Sequence, residues 1–339
     1  MNFLEQNEKY NQDLKESLKS FTDINLLKKR LTYARLKATE NLDKLLFEFD
    51  TNLKKTDSKV TWCHDEKSVV DFLNTQLKSV EKVSFLNHIG VNNLISILNI
   101  ESAEETESPE IVVMDAKFIV ANTGNFYTPF YSQNEWQQAS NAKKIIVCAG
   151  IDTILASQAE LNLAKTLYSI YETGLLSYSA EMLARPGKMH GFKPEIVLMI
   201  YDLSKSHLLE RINHRGLFHL LNFKLPPVCP MHALDYYPEN RMKLDTLQYF
   251  LFPFVHGLEN YPSHILENYG LHIINQFLPY EIDLKQHVLE AREFLNAEKK
   301  ANKLASIFGG NIAELPLHKE KFNKAGRFEK FAKEYFFGQ

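Results

Sequence analysis

Cysteine is scarce in this chain. Cys63, Cys148 and Cys229 are the only three, widely spaced and odd in number. That excludes a disulfide framework or a Cys-x-x-Cys pair, and it predicts a reducing, cytoplasmic setting. Charge of one sign is missing too. A net charge of −3 over 339 residues leaves no basic domain, so nucleic acid is not an expected partner. No apolar run is long enough to span a membrane, and the opening MNFLEQNEKYNQ lacks a signal core. Glycine signatures are absent: no G-x-x-x-x-G-K-[S/T], no G-x-G-x-x-G after a strand, no G-x-S-x-G. H-E-x-x-H is absent as well, and the twelve histidines are scattered without metal-ligand spacing. No metal site and no catalytic residue can be assigned on these grounds.

What is present is ordinary globular material, 45% hydrophobic and 24% charged. Apolar residues fall at helical spacing over residues 24–49, with Thr22-Asp23 as a candidate N-cap. Lys28, Lys29, Arg30, Arg35 and Lys37 make this segment basic, which reads as a solvated helix face ahead of an anion-contacting one. From residue 58 short apolar runs alternate with helical patterns. Strands are expected at 60–63, 80–85, 111–113, 118–121, 145–149 and 195–201, and helices at 68–78, 91–98 and 157–171. This alternation predicts an α/β fold, a mostly parallel sheet with helices on both faces. Residues 101–110 hold five Glu and a Pro and read as a solvated loop. Beyond about residue 204 the strand pattern stops and prolines divide a run of helical patterns. The expected division is 1–57 helical, 58–205 α/β, 206–310 helical, and 311–339 a basic, aromatic helix.

Polar turns follow the expected strands at three places. Asn122, Thr123, Gly124 and Asn125 follow the first; Gly150 and Asp152 belong to the second; Asp202, Lys205 and Ser206 form the third. Ligands of open α/β sheets bind beyond the carboxyl ends of strands. These nine residues are therefore the candidate ligand-binding set. Backbone N–H groups at Thr123-Gly124 and the side chains of Asn122, Asn125, Lys205 and Ser206 could hold a small anion. Ordinary tight turns explain the same residues without a ligand. Cys148 reads as an inert core thiol, and Cys63, beside Trp62 and His64, as a weak candidate for reactivity.

The order of these features resembles the lactate-utilisation (LUD) domain family, and more specifically its iron–sulfur branch. Phe118-Ile-Val-Ala-Asn-Thr-Gly-Asn125 is similar to the family's strand and Thr-Gly turn. Ile145-Ile-Val-Cys-Ala-Gly-Ile-Asp152 is similar to its strand ending in Gly-Ile-Glu. Glu172-Thr173-Gly174 with Tyr178 and Arg185-Pro186-Gly187, then Asp202-Leu-Ser-Lys-Ser206, follow in the family's order. The resemblance covers roughly residues 24–290. It implies a fold akin to the sugar-isomerase and CoA-transferase group. It also implies a function related to the oxidation of L-lactate to pyruvate, with other lactate-utilisation proteins as partners. A small anionic metabolite, such as a carboxylate, a sugar phosphate or a CoA-like molecule, is the alternative ligand.

The departures bear on chemistry. The acidic residue of the family's turn is Asn122 here, and an amide cannot serve as a general base. Bacterial cluster loops use C-x2-C-x2-C-x3-C-P. Cys229-Pro230 fits the end of that pattern, but the earlier positions are His219, Asn222 and Leu225. A second copy ending at Leu278-Pro279 has Asn268, Leu271 and Ile274 upstream. One thiolate in eight positions cannot hold a four-iron cluster. The expectation is a ferredoxin-like segment that keeps its chain path without clusters, so no cofactor is assigned.

Overall fold

The computed structural model describes residues 3–55, 58, 60–78, 80, 82–86, 91, 109–188, 194–202, 206, 218–219, 223 and 278–281. The expected helices at 91–98 and beyond residue 204, Lys205, and the C-terminal tail lie outside those residues, in whole or in large part.

The chain opens with three helices: α1 (Phe3–Leu18), α2 (Ile24–Glu40) and α3 (Leu42–Lys54). Asp23 caps α2, its carboxylate accepting from the Leu26 N–H at 2.9 Å. On α2 the buried positions are Leu31, Arg35, Ala38 and Thr39; on α3 they are Leu45, Phe49 and Leu53. Both sets follow the spacing of one helical face. That face belongs to the same apolar core as the sheets.

The α/β body follows as β1 (Val60–Cys63), α4 (Glu66–Leu77), β2 (Val83–Phe85), β3 (Ile111–Asp115), β4 (Phe118–Val120) and β5 (Asn125–Phe130). After it come α5 (Gln133–Asn141), β6 (Lys144–Gly150), β7 (Ile154–Leu155), α6 (Gln158–Thr173), β8 (Ala180–Ala184), β9 (Gly187–Lys188) and β10 (Glu195–Tyr201).

The main sheet has the order β1-β10-β6-β3-β2, and those five strands are all parallel. β9 adds an antiparallel pairing at the start of β10. Parallel strands are buried on both faces and so read as continuous apolar runs. Their side chains separate into two cores. Ile111, Val113, Ile146, Cys148 and Met199 face α4, which contributes Val69 and Leu73. Val112, Met114, Ile145, Val147, Leu198 and Ile200 face the opposite way into the larger core. The expected mostly parallel α/β sheet is thus the architecture found.

The covering of that second face differs from the expectation of helices alone. A four-stranded sheet, β7-β4-β5-β8, shares this core, together with α2, α3 and α6. β4 and β5 form a hairpin, β5 and β8 pair antiparallel, and β4 and β7 pair parallel. The run at 118–121 is therefore a strand of this second sheet and not of the main one. Pro129 hid β5 from the sequence, since proline argues against a strand interior. It is tolerated because β4 pairs only with Asn125, Phe126 and Tyr127, leaving Pro129 a partner on the β8 side alone. β7, two residues long, is too short to read as a periodic pattern.

Candidate functional site

The carboxyl ends of β6 and β10 lie side by side, with Gly150 opposite Tyr201. The next residue, Asp202, continues toward β1 by donating its N–H to the Cys63 carbonyl at 3.1 Å. Its carboxylate accepts from the Ser206 N–H at 2.8 Å and from the Ser206 hydroxyl at 2.6 Å. Asp202 therefore organises the turn that follows β10. After β6 the chain makes the 3-10 turn Ile151–Thr153, in which Asp152 is buried. Thr153 closes it by donating its hydroxyl to the Gly150 carbonyl at 2.7 Å. Gly150 and Asp202 are thus brought to one end of the main sheet, with Asp152 and Ser206 in the turns that follow.

Asn122, Thr123, Gly124 and Asn125 occupy a different position. They form the reversal between β4 and β5, closed by the Gly124 N–H to the Val120 carbonyl at 2.9 Å. Gly124 has φ +69°, and a Cβ there would stand 3.2 Å from Leu53 Cδ2 and 3.3 Å from the Leu53 nitrogen. Glycine permits both the left-handed backbone and the close approach of α3. Asn52 on α3 donates to the Ala121 carbonyl at 2.9 Å. The Asn125 side-chain oxygen accepts from Arg185 Nε at 3.0 Å. Asn122 is exposed, and its N–H goes to the Ala156 carbonyl at 3.2 Å. These contacts tie the turn to α3, to the end of β7 and to Arg185.

The residue joining the two groups was missed from sequence. Arg35, read as part of a solvated basic face, is fully buried at 0% exposure. Its guanidinium donates to the Ile154 carbonyl at 2.6 Å and also to the Asp152 carbonyl. It lies 5.7 Å from the centroid of the Phe118 ring on β4. Arg35 therefore pins the segment that leaves the main sheet and enters the second one. One sequence signal pointed to it: Arg35 shares the helical phase of Leu31 and Ala38, the buried stripe of α2. Lys28, two turns earlier, sits over the Tyr171 ring at 4.7 Å, and burial draws its ammonium down to about 8.

Beside Arg35 is an aromatic cluster. Tyr168 of α6 meets Phe118, Phe223 and Tyr280 edge-on, at ring separations of 4.9, 5.5 and 5.8 Å. Its hydroxyl bonds to that of Tyr280 and donates to the His219 carbonyl at 3.1 Å. Burial pushes the Tyr280 phenol up to about 12. A second buried polar group is centred on Glu172. Glu172 accepts from Lys117, from the Tyr131 hydroxyl at 2.9 Å and from the Tyr178 hydroxyl at 2.8 Å. Burial, then the Glu172 charge, push both of these phenols well above their ordinary range, so they act as neutral donors.

The thiols are placed for packing. Cys63 and Cys148 are buried, and burial raises both above their ordinary value. A thiol held protonated is a poor nucleophile. Among the described residues, no group of three or more His, Cys, Asp or Glu side chains could hold a metal ion. No helix among them is long and apolar enough to cross a membrane.

The class this defines is an α/β protein with a parallel sheet, a smaller second sheet against one face, and a helical layer outside it. No family model matches the sequence, and no curated protein matches it. Among solved structures, a DUF162 family protein from Deinococcus radiodurans is similar at 12% identity and a TM-score of 0.35. The match covers 48% of this chain and 98% of that one.

Proposed function

We propose that this chain is a LUD-domain protein related to the iron–sulfur subunit of L-lactate oxidation, and that it serves as a cluster-free binding or scaffold component. The reading is supported by the collinear order of the sequence resemblances, and its metal-free part by one packing observation. His219 and Leu278 stand where the two cluster loops of such a protein would carry thiolates. Both are buried, at 3% and 0% exposure. His219 Nε2 is engaged with the Thr39 hydroxyl at 2.6 Å, and Leu278 offers no donor atom. Both lie in the larger core's aromatic surroundings, with Phe223 and Tyr280 against Tyr168. An iron–sulfur cube needs four thiolates and space around them, and these two positions supply neither.

Iron and acid-labile sulfide measured per chain after anaerobic purification test the metal-free part. Neither is expected above background, and stoichiometric amounts of both would overturn it. Affinity capture from extract should recover other lactate-utilisation proteins. Unchanged growth on lactate after deletion of the gene would remove the pathway assignment.

A second reading, a small anionic metabolite bound beyond β6 and β10, is favoured by the adjacency of Gly150 and Asp202. Asp115, Asp152 and Asp202 also end the strands there or follow them, so an anion would need a cation to offset them. Lys205 is the candidate for that role. Thermal-shift titration with lactate, pyruvate, a sugar phosphate and CoA separates the readings: a saturable shift favours the metabolite site, and flat curves favour the scaffold.

A further inference from the structure

One imidazole joins the helical layer to the later residues Phe218, Phe223 and 278–281. His219 is 3% exposed. Its Nε2 is 2.6 Å from Thr39 Oγ1, and that same hydroxyl donates to the Arg35 carbonyl at 2.8 Å. A hydroxyl has a single proton to give, so Nε2 carries the ring proton and donates it to Thr39. Nδ1 is buried and has no hydrogen-bond partner. A second ring proton would have to sit there, as a buried N–H with no acceptor. It would also add positive charge beside Arg35, itself fully buried.

Among the described residues, the groups facing His219 offer no carboxylate, and the compensation is limited to hydrogen bonding with the Arg35 carbonyl. α2 presents Arg35 and Thr39. α6 presents Tyr168, and the later segment presents Tyr280, whose ring centroid is 6.4 Å from that of His219. The carboxylate felt by both tyrosines is Glu172, which already receives Lys117, Tyr131 and Tyr178. The Phe218 ring meets the imidazole edge-on at 5.6 Å, and Phe218, Phe223 and Leu278 belong to the common apolar core.

We propose that His219 is an acid-sensitive latch, whose protonation releases Phe218, His219, Phe223 and residues 278–281 from α2 and α6 while the main sheet stays folded. Among the described residues this contact is made by side chains laid on the outer helices, whereas β6 and β10 are paired along their whole length. Local contacts of this kind open well below the free energy of global unfolding. The sign follows from linkage. Burial, then Arg35, hold the docked imidazole well below its ordinary value, partly offset by hydrogen bonding to the Arg35 carbonyl. An undocked imidazole takes up its proton near about 6.5. Docking is therefore at full strength above that value, and weakens about tenfold per pH unit as the pH falls below it. The latch stands or falls independently of iron content and of any role in lactate oxidation.

Hydrogen exchange on the full chain at pH 7.5, 6.5, 5.5 and 5.0, corrected for intrinsic rates, provides the test. Protection at the amides of Phe218, His219, Phe223, Leu278, Tyr280 and Glu281 should fall about tenfold between pH 6 and 5, with β6 and β10 unchanged. His219→Gln keeps a donor toward Thr39 but does not titrate, so its protection should stay flat over the same range. Acid loss that persists in H219Q overturns the proposal. If H219Q is already undocked at pH 7.5, the wild-type profile decides alone. A one-proton slope then supports the latch, and a flat profile or a simultaneous loss at β6 and β10 overturns it.

Discussion

Replacing Lys117 by methionine tests the electrostatics of the core most directly. The Lys117 and Glu172 side chains are 7% and 0% exposed, so solvent screens their attraction very little. With Lys117→Met the carboxylate keeps two phenol donors and loses the ammonium paired with it. Breaking a buried pair in this way costs about 3–5 kcal/mol, because a charge is left uncompensated. That is a large share of the roughly 5–15 kcal/mol by which domains are stable. The paired change Lys117→Met with Glu172→Gln removes both charges, and the new amide oxygen can still accept from Tyr131 and Tyr178. It should cost about 1–2 kcal/mol, close to the loss of one or two ordinary hydrogen bonds. The double variant is thus expected to be more stable than K117M alone. Urea unfolding followed by tyrosine and tryptophan fluorescence measures all members of the cycle, provided the m-values agree. Costs that add to within about 0.5 kcal/mol would show that the two groups do not interact, and the reasoning would fail.

Two further changes probe the helical layer. Gly174 ends α6 at φ +81°, and a Cβ there would lie 2.9 Å from the Tyr10 carbonyl oxygen. Gly174→Ala should cost more than the roughly 1 kcal/mol of left-handed strain alone, read as a lower melting temperature, because backbone of α1 must also move. Lys28, drawn down to about 8 from an ordinary value near 10.5, is less protonated in the folded chain than in the unfolded one. Its contribution therefore raises stability as pH climbs from about 8 toward 10.5. In Lys28→Met that alkaline rise should flatten in melting curves taken between pH 8 and 10.

The main sheet was legible because its strands announce themselves. Ile111, Val112 and Val113, and the run from Ile196 to Ile200, are continuous apolar segments, as strands covered on both faces must be. The cap at Asp23 and the stop at Gly174 were also readable, since each depends on a local backbone requirement. The second sheet was not legible. Its strands are short, one contains Pro129, and their pairing joins residues as distant as Phe126 and Ala184. Arg35 was misread for a related reason. Charge argued for solvent, and only tertiary structure supplies the two carbonyls that allow the guanidinium to be buried. The Thr-Gly turn could be recognised but not located, because sequence does not say to which sheet a strand belongs.

That location bears on how the candidate site could work. Gly150 and Asp202 end strands of the main sheet, while Asn122 and Asn125 turn within the second, and the chain between the groups is held by Arg35. The overall cost of losing Arg35 is the small difference of two large terms. Removing a buried cation returns its desolvation penalty, while the carbonyls of Asp152 and Ile154 lose a charged donor. The local effect has a definite sign. The N–H groups of Ala121 and Asn122 donate to the carbonyls of Leu155 and Ala156, next to the segment that Arg35 pins. In Arg35→Met these two amides should exchange about tenfold faster, equivalent to roughly 1.4 kcal/mol of lost local stability. Amides of β10, bonded only within the main sheet, should not change. Lysine reaches one carbonyl at a time, so Arg35→Lys should fall between methionine and wild type. If Ala121 and Asn122 keep wild-type protection in R35M, the arginine does not join the two halves. Any ligand held at Gly150 and Asp202 would then be independent of the turn at Asn122.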